Sequence, residues 1–256
     1  MIDARAIIAP DADIGDDVEI GAYSIIGAGV KIGAGTWIGP HAVINGPTTL
    51  GRGNKVFQFA SIGDAPQDKK YAGEPTRLEV GERNVFREFC SINRGTIGGR
   101  SVTRIADDCL FMAYSHVGHD CIVGSHCILS NCTALAGHVQ LGDWVILSGY
   151  AAIHQFCKIG AHAFLANNAA VTRDVPPYLL VAGSPAEPKG INSEGLKRRG
   201  FDATQIANIK NAYRLLYRSG LKLAEAAAQL KALSASQPEL APFADFLSSS
   251  ERSIIR

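Results

Sequence analysis

Large rings are scarce in this chain: 10 Phe, 7 Tyr and 2 Trp make up only 7% of 256 residues. That excludes a wide core filled by aromatics, so small aliphatic side chains must fill the interior. An excess of charge is missing as well. Lys+Arg 25 against Asp+Glu 24 leave +1, which argues against a broad nucleic-acid footprint, although a local basic patch still suits a phosphate. No run of about 18 apolar residues occurs, and Met1-Ile2-Asp3 begins no secretory signal. Neither a membrane span nor export is expected, and a cytoplasmic location is the expectation. The six cysteines (Cys90, Cys109, Cys121, Cys127, Cys132 and Cys157) form no CxxC pair. They read as reduced, buried small hydrophobes rather than a redox or metal set.

What the chain has is a six-residue clock. From Ile2 it runs Ile8, Ile14, Ile20, Ile26, Ile32, Ile38, Ile44, Leu50, Val56 and Ile62. It resumes at Val80, Phe86 and Ile92, slips by one residue, and runs again from Ile105 through Phe111, Val117, Val123, Leu129, Leu135, Leu141, Leu147, Ile153, Ile159 and Leu165 to Val171. Glycine often follows the clock residue, as in Ile20-Gly21 and Ile32-Gly33. A period of six fits neither a helix stripe nor an ordinary alternating strand. It fits very short strands joined by turns, one flat side per hexapeptide, with three sides closing a triangular coil of about 18 residues. Coils then stack by parallel pairing at about 4.8 Å, and so narrow a prism has little room for rings.

Two stretches leave the pattern, one near 64–78 and one near 95–104, and loops thrown out of a rigid solenoid are where function concentrates. After Val171 the clock stops at Asp174-Val175-Pro176-Pro177-Tyr178. Helical spacing follows: Ile206, Ile209, Tyr213 and Leu216 within 205–217, a second segment over 223–233, and a third after Pro238. The expected organisation is a hexapeptide β-helix over 1–185 and a small α-helical domain over 186–256, whose helices shield the open end of the stack.

Stacking supplies a ruler, because residues eighteen apart lie one coil above another. His119, Gly137 and Gln155 form one column; Asp120 and His138 form its neighbour. His116 joins them through Tyr114-Ser115-His116-Val117-Gly118-His119-Asp120. Two chemistries remain open for such a cluster. Three imidazoles suit zinc with an open fourth position. Alternatively, one neutral imidazole acts as general base while a backbone N–H one coil away holds an oxyanion, and Gly137 leaves room for an approaching carbonyl. His126 and His162, two coils apart, read as plain surface or inter-subunit positions. The basic pair Arg198-Arg199 near a helix start suits a phosphate or an acidic partner.

The prism, the segment Gln67-Asp68-Lys69-Lys70-Tyr71-Ala72-Gly73-Glu74-Pro75-Thr76-Arg77, and His116-Val117-Gly118-His119-Asp120 carry a family resemblance. Ala152-Ile153-His154-Gln155-Phe156-Cys157 and Glu194-Gly195-Leu196-Lys197-Arg198-Arg199-Gly200-Phe201 complete it. Together they resemble the UDP-N-acetylglucosamine O-acyltransferase family, hexapeptide-repeat transferases that begin lipid A biosynthesis, and hence lipopolysaccharide assembly, in Gram-negative bacteria. The resemblance implies a mainly β fold, a left-handed parallel β-helix followed by a small helical domain, and a homotrimer with sites between subunits. It implies transfer of a (3R)-3-hydroxyacyl group from acyl carrier protein to the 3-hydroxyl of UDP-GlcNAc. No cofactor or metal would be bound, and the donor would bring its own phosphopantetheine arm. By the same resemblance His119 is the general base and the Gly137 N–H the oxyanion donor. Asp68, Lys70 and Gln67 are sugar-side loop residues, and His116, His138, His154 and Gln155 line the cleft. Asn192, Glu194, Arg198 and Arg199 lie near the nucleotide and the pantetheine arm. A sister enzyme that acylates an amino group, a trimeric zinc hydratase of the γ-carbonic-anhydrase type and a non-catalytic scaffold are the competing readings.

Two positions depart from the family pattern. Asn93 stands where members can carry His. Asn167, in Phe164-Leu165-Ala166-Asn167, stands where members that accept long chains carry Gly. Asn167 is expected to shorten the acyl groove that Phe164 adjoins, so Asn167→Gly should raise turnover of long-chain donors relative to short ones. An unchanged chain-length preference in a competition assay would contradict this.

Overall fold

Aliphatic side chains six residues apart can all point inward only if the chain turns a corner in every hexapeptide. The computed structural model describes residues 1–250 and 253–256 and shows how the corners are made. Strands of mostly two residues form three sheets of nine, eight and ten strands, parallel except for the last strand of the third, giving a left-handed parallel β-helix. The registers follow the ruler: Ile7 pairs Ile25, His116 pairs Ala134, and Ala134 pairs Ala152. From Ile20 to Val171 every clock residue is buried. Inside the narrow prism the rare rings pair, with Phe86 stacked on Phe111 at 4.8 Å. All six thiols are free; five are buried and Cys132 is half-buried.

At many corners one non-glycine residue takes the left-handed conformation, among them His41 (φ +57°), Asp120 (φ +61°), His138 (φ +66°) and Trp144 (φ +63°). That conformation is uncommon for L-residues. Here the ladder holds it, because the corner amide bonds a carbonyl of the coil before: His138 N–H to the His119 carbonyl at 2.9 Å, Trp144 N–H to that of Ser125 at 2.9 Å. The glycines beside the clock residues do a different job. A Cβ on Gly33 would lie 2.5 Å from the Gly51 backbone, so close coil-to-coil approach, not turn geometry, requires glycine there.

Two circuits are longer than the rest. Ser61 pairs with Ser91, and Ser91 with His116. The first excursion leaves between the strands Ser61–Asp64 and Arg77–Val80. Arg94 pins its base, donating to the carbonyls of Gly46 (3.1 Å) and Gly63 (3.0 Å) and to the Tyr71 hydroxyl (3.0 Å). Asn93 assists with a bond to the Ala65 carbonyl at 3.0 Å. The second excursion is a compact turn ahead of the strand Val102–Ile105.

Past the last coil, strands Leu179–Ala182 and Glu187–Ile191 form an antiparallel pair. Helices α1 (Ser193–Arg198), α2 (Ala203–Arg218), α3 (Leu223–Ser234) and α4 (Ala241–Ser249) follow. Asp202 and Gln205 form a capping box on α2, and α2, α3 and α4 bury Leu216, Leu230 and Phe243 respectively. Tyr178 joins prism to helices through ring contacts with Phe201 (6.0 Å) and Phe243 (5.5 Å).

Candidate active site

The turn Gly118–Cys121 links the strand His116–Val117 of the nine-stranded sheet to Ile122–Val123 of the eight-stranded one. Adjacent residues of a strand face opposite ways, but the left-handed Asp120 at this corner turns its carboxylate back toward its neighbour. His119 Nδ1 lies 2.8 Å from Asp120 Oδ2. The carboxylate is fully buried, whereas the imidazole is 18% exposed. Burial pushes the Asp120 carboxyl up. Hydrogen bonds from Thr96, His119 and the Arg100 amide outweigh this and hold it below the usual carboxylate range. An ionised carboxylate only accepts, so the His119 proton sits on Nδ1 and the Nε2 lone pair is free.

One coil above, a Cβ on Gly137 would lie 2.6 Å from both Cε1 and Nε2 of His119. The bare glycine therefore leaves the space the imidazole occupies, and the Gly137 N–H finds no acceptor among the described residues. In the neighbouring column His138 stands edge-on to His119 at 5.0 Å, stacks on Phe156 at 4.3 Å, and brings Nε2 to 3.9 Å from Asp120. Burial lowers the His138 pKa, with the charges of Asp120 and Asp68 pulling the other way. His116 is also lowered by burial, and its Nδ1 shares a 2.7 Å bond with Ser91. Asp68 Oδ1 accepts from the Lys70 amide at 2.9 Å, and Gln67 and Lys70 face solvent. His154 is exposed and bonds the Gln155 carbonyl at 3.2 Å; Gln155 continues the column of His119 and Gly137.

A second group gathers at a different corner. His126, Trp144, His162 and Tyr178 stack in one column, with centroid separations of 4.0, 6.4 and 5.5 Å. His126 and His162 are thus not plain surface positions. The Arg199 guanidinium lies over Trp144 at 5.1 Å and donates to His162 Nδ1 at 3.4 Å. A cavity of about 370 Å³ here is lined by Trp144, Phe164, Asn192, Glu194, Arg198 and Arg199. The Asn192 side chain caps α1 by accepting from Gly195 N–H at 3.1 Å. Glu194 pairs with Lys197 at 2.9 Å. Asn167 is exposed at the third corner, between Phe164–Leu165 and Ala170–Val171, and does not line this cavity.

One chain therefore does not enclose all the expected residues in a single cleft. A larger cavity, about 970 Å³, lies between α2 and the strand Glu187–Ile191 and is ringed by Lys189, Lys210, Arg214 and Arg218. It has no carboxylate or imidazole in its lining and so offers no base. His119, Asp120 and His138 are the one group among the described residues that brings three ligand atoms within 4.8 Å. Both Asp120 oxygens already accept N–H or O–H donors, a poor arrangement for a metal ligand.

The fold is shared with known proteins of similar sequence. Residues 103–137 match the bacterial transferase hexapeptide profile, and residues 174–255 match domain 2 of the UDP N-acetylglucosamine O-acyltransferases. An acyl-[acyl-carrier-protein]--UDP-N-acetylglucosamine O-acyltransferase of Thiobacillus denitrificans is 53% identical over 255 residues, covering 100% of this chain and 99% of that one. That of Stutzerimonas stutzeri is 51% identical over 256 residues, at 100% and 99% coverage. The chain belongs to the UDP-N-acetylglucosamine O-acyltransferase family. The family's crystal structure from Francisella novicida superposes with a TM-score of 0.98 at 41% identity, covering 100% of this chain and 94% of that one. The chain is accordingly an acyltransferase with the hexapeptide β-helix of that family.

Within the second group, burial pushes the His162 pKa down from 6.5 to about 4, and the Arg199 charge adds to the fall. The unfolded chain holds an ordinary imidazole, so it binds a proton between pH 6.5 and about 4 that the folded chain does not. Stability from this residue is complete above pH 6.5 and drains away as pH falls through that window. The melting temperature should drop across it, and His162→Phe, which keeps the stack without titrating, should flatten part of the drop. An identical slope in the variant would contradict the assignment.

Proposed function

We propose that this chain transfers a (3R)-3-hydroxyacyl group from acyl carrier protein to the 3-hydroxyl of the glucosamine ring of UDP-GlcNAc, the opening step of lipid A biosynthesis. The names of its full-length relatives support the donor and the acceptor. The observation that carries the mechanism is His119, tied through Nδ1 to a buried ionised carboxylate with Nε2 beneath a glycine whose N–H is unused.

A sugar hydroxyl is a weak nucleophile. His119 Nε2 takes its proton as the oxygen attacks the thioester carbonyl. The former carbonyl oxygen becomes an oxyanion and receives the Gly137 N–H. Collapse of the tetrahedral intermediate breaks the carbon–sulfur bond, and the imidazolium returns its proton to the departing pantetheine thiol. Asp120 stays ionised and stabilises the imidazolium while it exists. The burial that keeps His116 and His138 neutral suits them to line the cleft as uncharged partners. No metal enters this scheme, because a thiol is already a good leaving group.

The two-corner arrangement supports a homotrimer. When one subunit's His119 corner meets a neighbour's cavity, Asp68, Lys70, Gln67, His154 and Gln155 come to face Asn192, Glu194, Arg198 and Arg199. The former would hold the sugar, the latter the nucleotide and the phosphopantetheine arm. Arg199, partly desolvated with its pKa lowered by burial, stays cationic in a site built for phosphate. The chain carries no helix long and apolar enough to cross a membrane among its described residues.

The test is acyl transfer to UDP-GlcNAc from a hydroxyacyl-carrier protein. His119→Ala should lose about 10²–10⁴-fold in rate while circular dichroism and oligomeric state stay unchanged. Turnover close to that of the unaltered enzyme would overturn the reading.

A further inference from the structure

The second excursion interrupts the clock for a reason the residue pattern does not reveal. Its turn folds over Asp120 and presents donors to it. The Thr96 hydroxyl reaches Asp120 Oδ2 at 2.6 Å and the Thr96 N–H the same oxygen at 3.0 Å, while the Arg100 N–H reaches Oδ1 at 2.7 Å. The Arg100 guanidinium bonds the Asp120 carbonyl at 2.9 Å, and the Thr103 hydroxyl oxygen accepts the Asp120 N–H at 2.8 Å. The turn is braced internally, since the Thr96 carbonyl accepts from Gly99 N–H (3.1 Å) and Ser101 N–H (2.9 Å). Contact is so close that a Cβ on Gly99 would sit 2.5 Å from the Asp120 carboxyl carbon, whereas one on Gly98 would meet nothing within 4 Å.

We infer that Thr96 is a positioning residue for acyl transfer, acting through Asp120 on the imidazole. The inference rests on the reading of His119 as general base. A carboxylate removed from water must receive hydrogen bonds to remain charged, and charge-assisted bonds are the strong ones. With Thr96 and Arg100 donating three hydrogen bonds to it, the carboxylate keeps one orientation, and Oδ2, which takes both Thr96 donors, is held 2.8 Å from His119 Nδ1. That fixes the ring and its tautomer together, so Nε2 meets the substrate hydroxyl as an acceptor. Without the hydroxyl of Thr96 the carboxylate keeps only the Thr96 and Arg100 N–H donors and is held less tightly, and a larger share of the imidazole carries its proton on Nε2, where it is no base.

The experiment compares Thr96→Val, which keeps size but loses the hydroxyl, with Thr96→Ser, which keeps the hydroxyl. In the assay above Thr96→Val should lose roughly tenfold in kcat with KM unchanged, a size expected for one hydrogen bond to a charged group. Nitrogen-15 NMR should show His119 moving from the Nδ1–H toward the Nε2–H tautomer. Thr96→Ser should restore both. Gly99→Ala, whose methyl displaces the carboxylate, should reproduce the loss, and Gly98→Ala, facing open space, should not. Unaltered kcat and an unaltered tautomer in Thr96→Val and Gly99→Ala would overturn the inference while leaving His119 as base, provided His119→Ala stays inactive. An active His119→Ala would instead remove the underlying reading.

Discussion

Backbone hydrogen bonds between residues one coil apart hold the reactive corner of this protein where it is. Because His116 pairs Ala134, and Ala134 pairs Ala152, the corner after each strand repeats directly above the last. The corner then needs a left-handed residue, and the ladder supplies the constraint that keeps Asp120 and His138 there. Two consequences follow from that one constraint. Consecutive side chains at the corner converge rather than alternate, which joins His119 to Asp120. A side chain on one coil also faces the backbone of the next, which sets the imidazole against Gly137.

The cost of this geometry is a carboxylate without water. Burying an ion costs several kcal/mol before its partners are counted, so Asp120 is tenable only with a full set of donors. The molecule supplies them by breaking its own repeat: the circuit from Ser91 to His116 is longer than the regular eighteen-residue coil and spends the excess on the turn over Asp120. The first excursion is likewise fixed at its base, anchored there by Arg94. The departures from the hexapeptide pattern and the reactive corner are therefore one feature.

Much of this was legible in the residue pattern. The clock predicts the three-sided coil because an inward aliphatic every six residues leaves little alternative, and the eighteen-residue ruler places His119 below Gly137 and Asp120 below His138. The helices over 203–218 and 223–234 follow from their spacing, while α1 is too short to leave a periodic signal. The contact of His119 with Asp120 was left open by the pattern, because strand alternation faces the two apart and only a turn between them brings them together. The donors from Thr96 and Arg100 were hidden, since an irregular turn carries no period. Stacking of Arg199 on Trp144 joins residues whose separation fits no repeat. The division of the expected cleft between two corners becomes visible only once each strand is assigned to its sheet.

The most direct test of the central claim is kcat for Gly137→Ala in acyl transfer from a hydroxyacyl-carrier protein to UDP-GlcNAc. An added Cβ would lie 2.6 Å from His119 Nε2, displacing the imidazole and blocking the N–H above it. The account predicts a fall of about 10²-fold or more with an unchanged melting temperature. Turnover equal to that of the unaltered enzyme would contradict the stacking of base and oxyanion donor on successive coils.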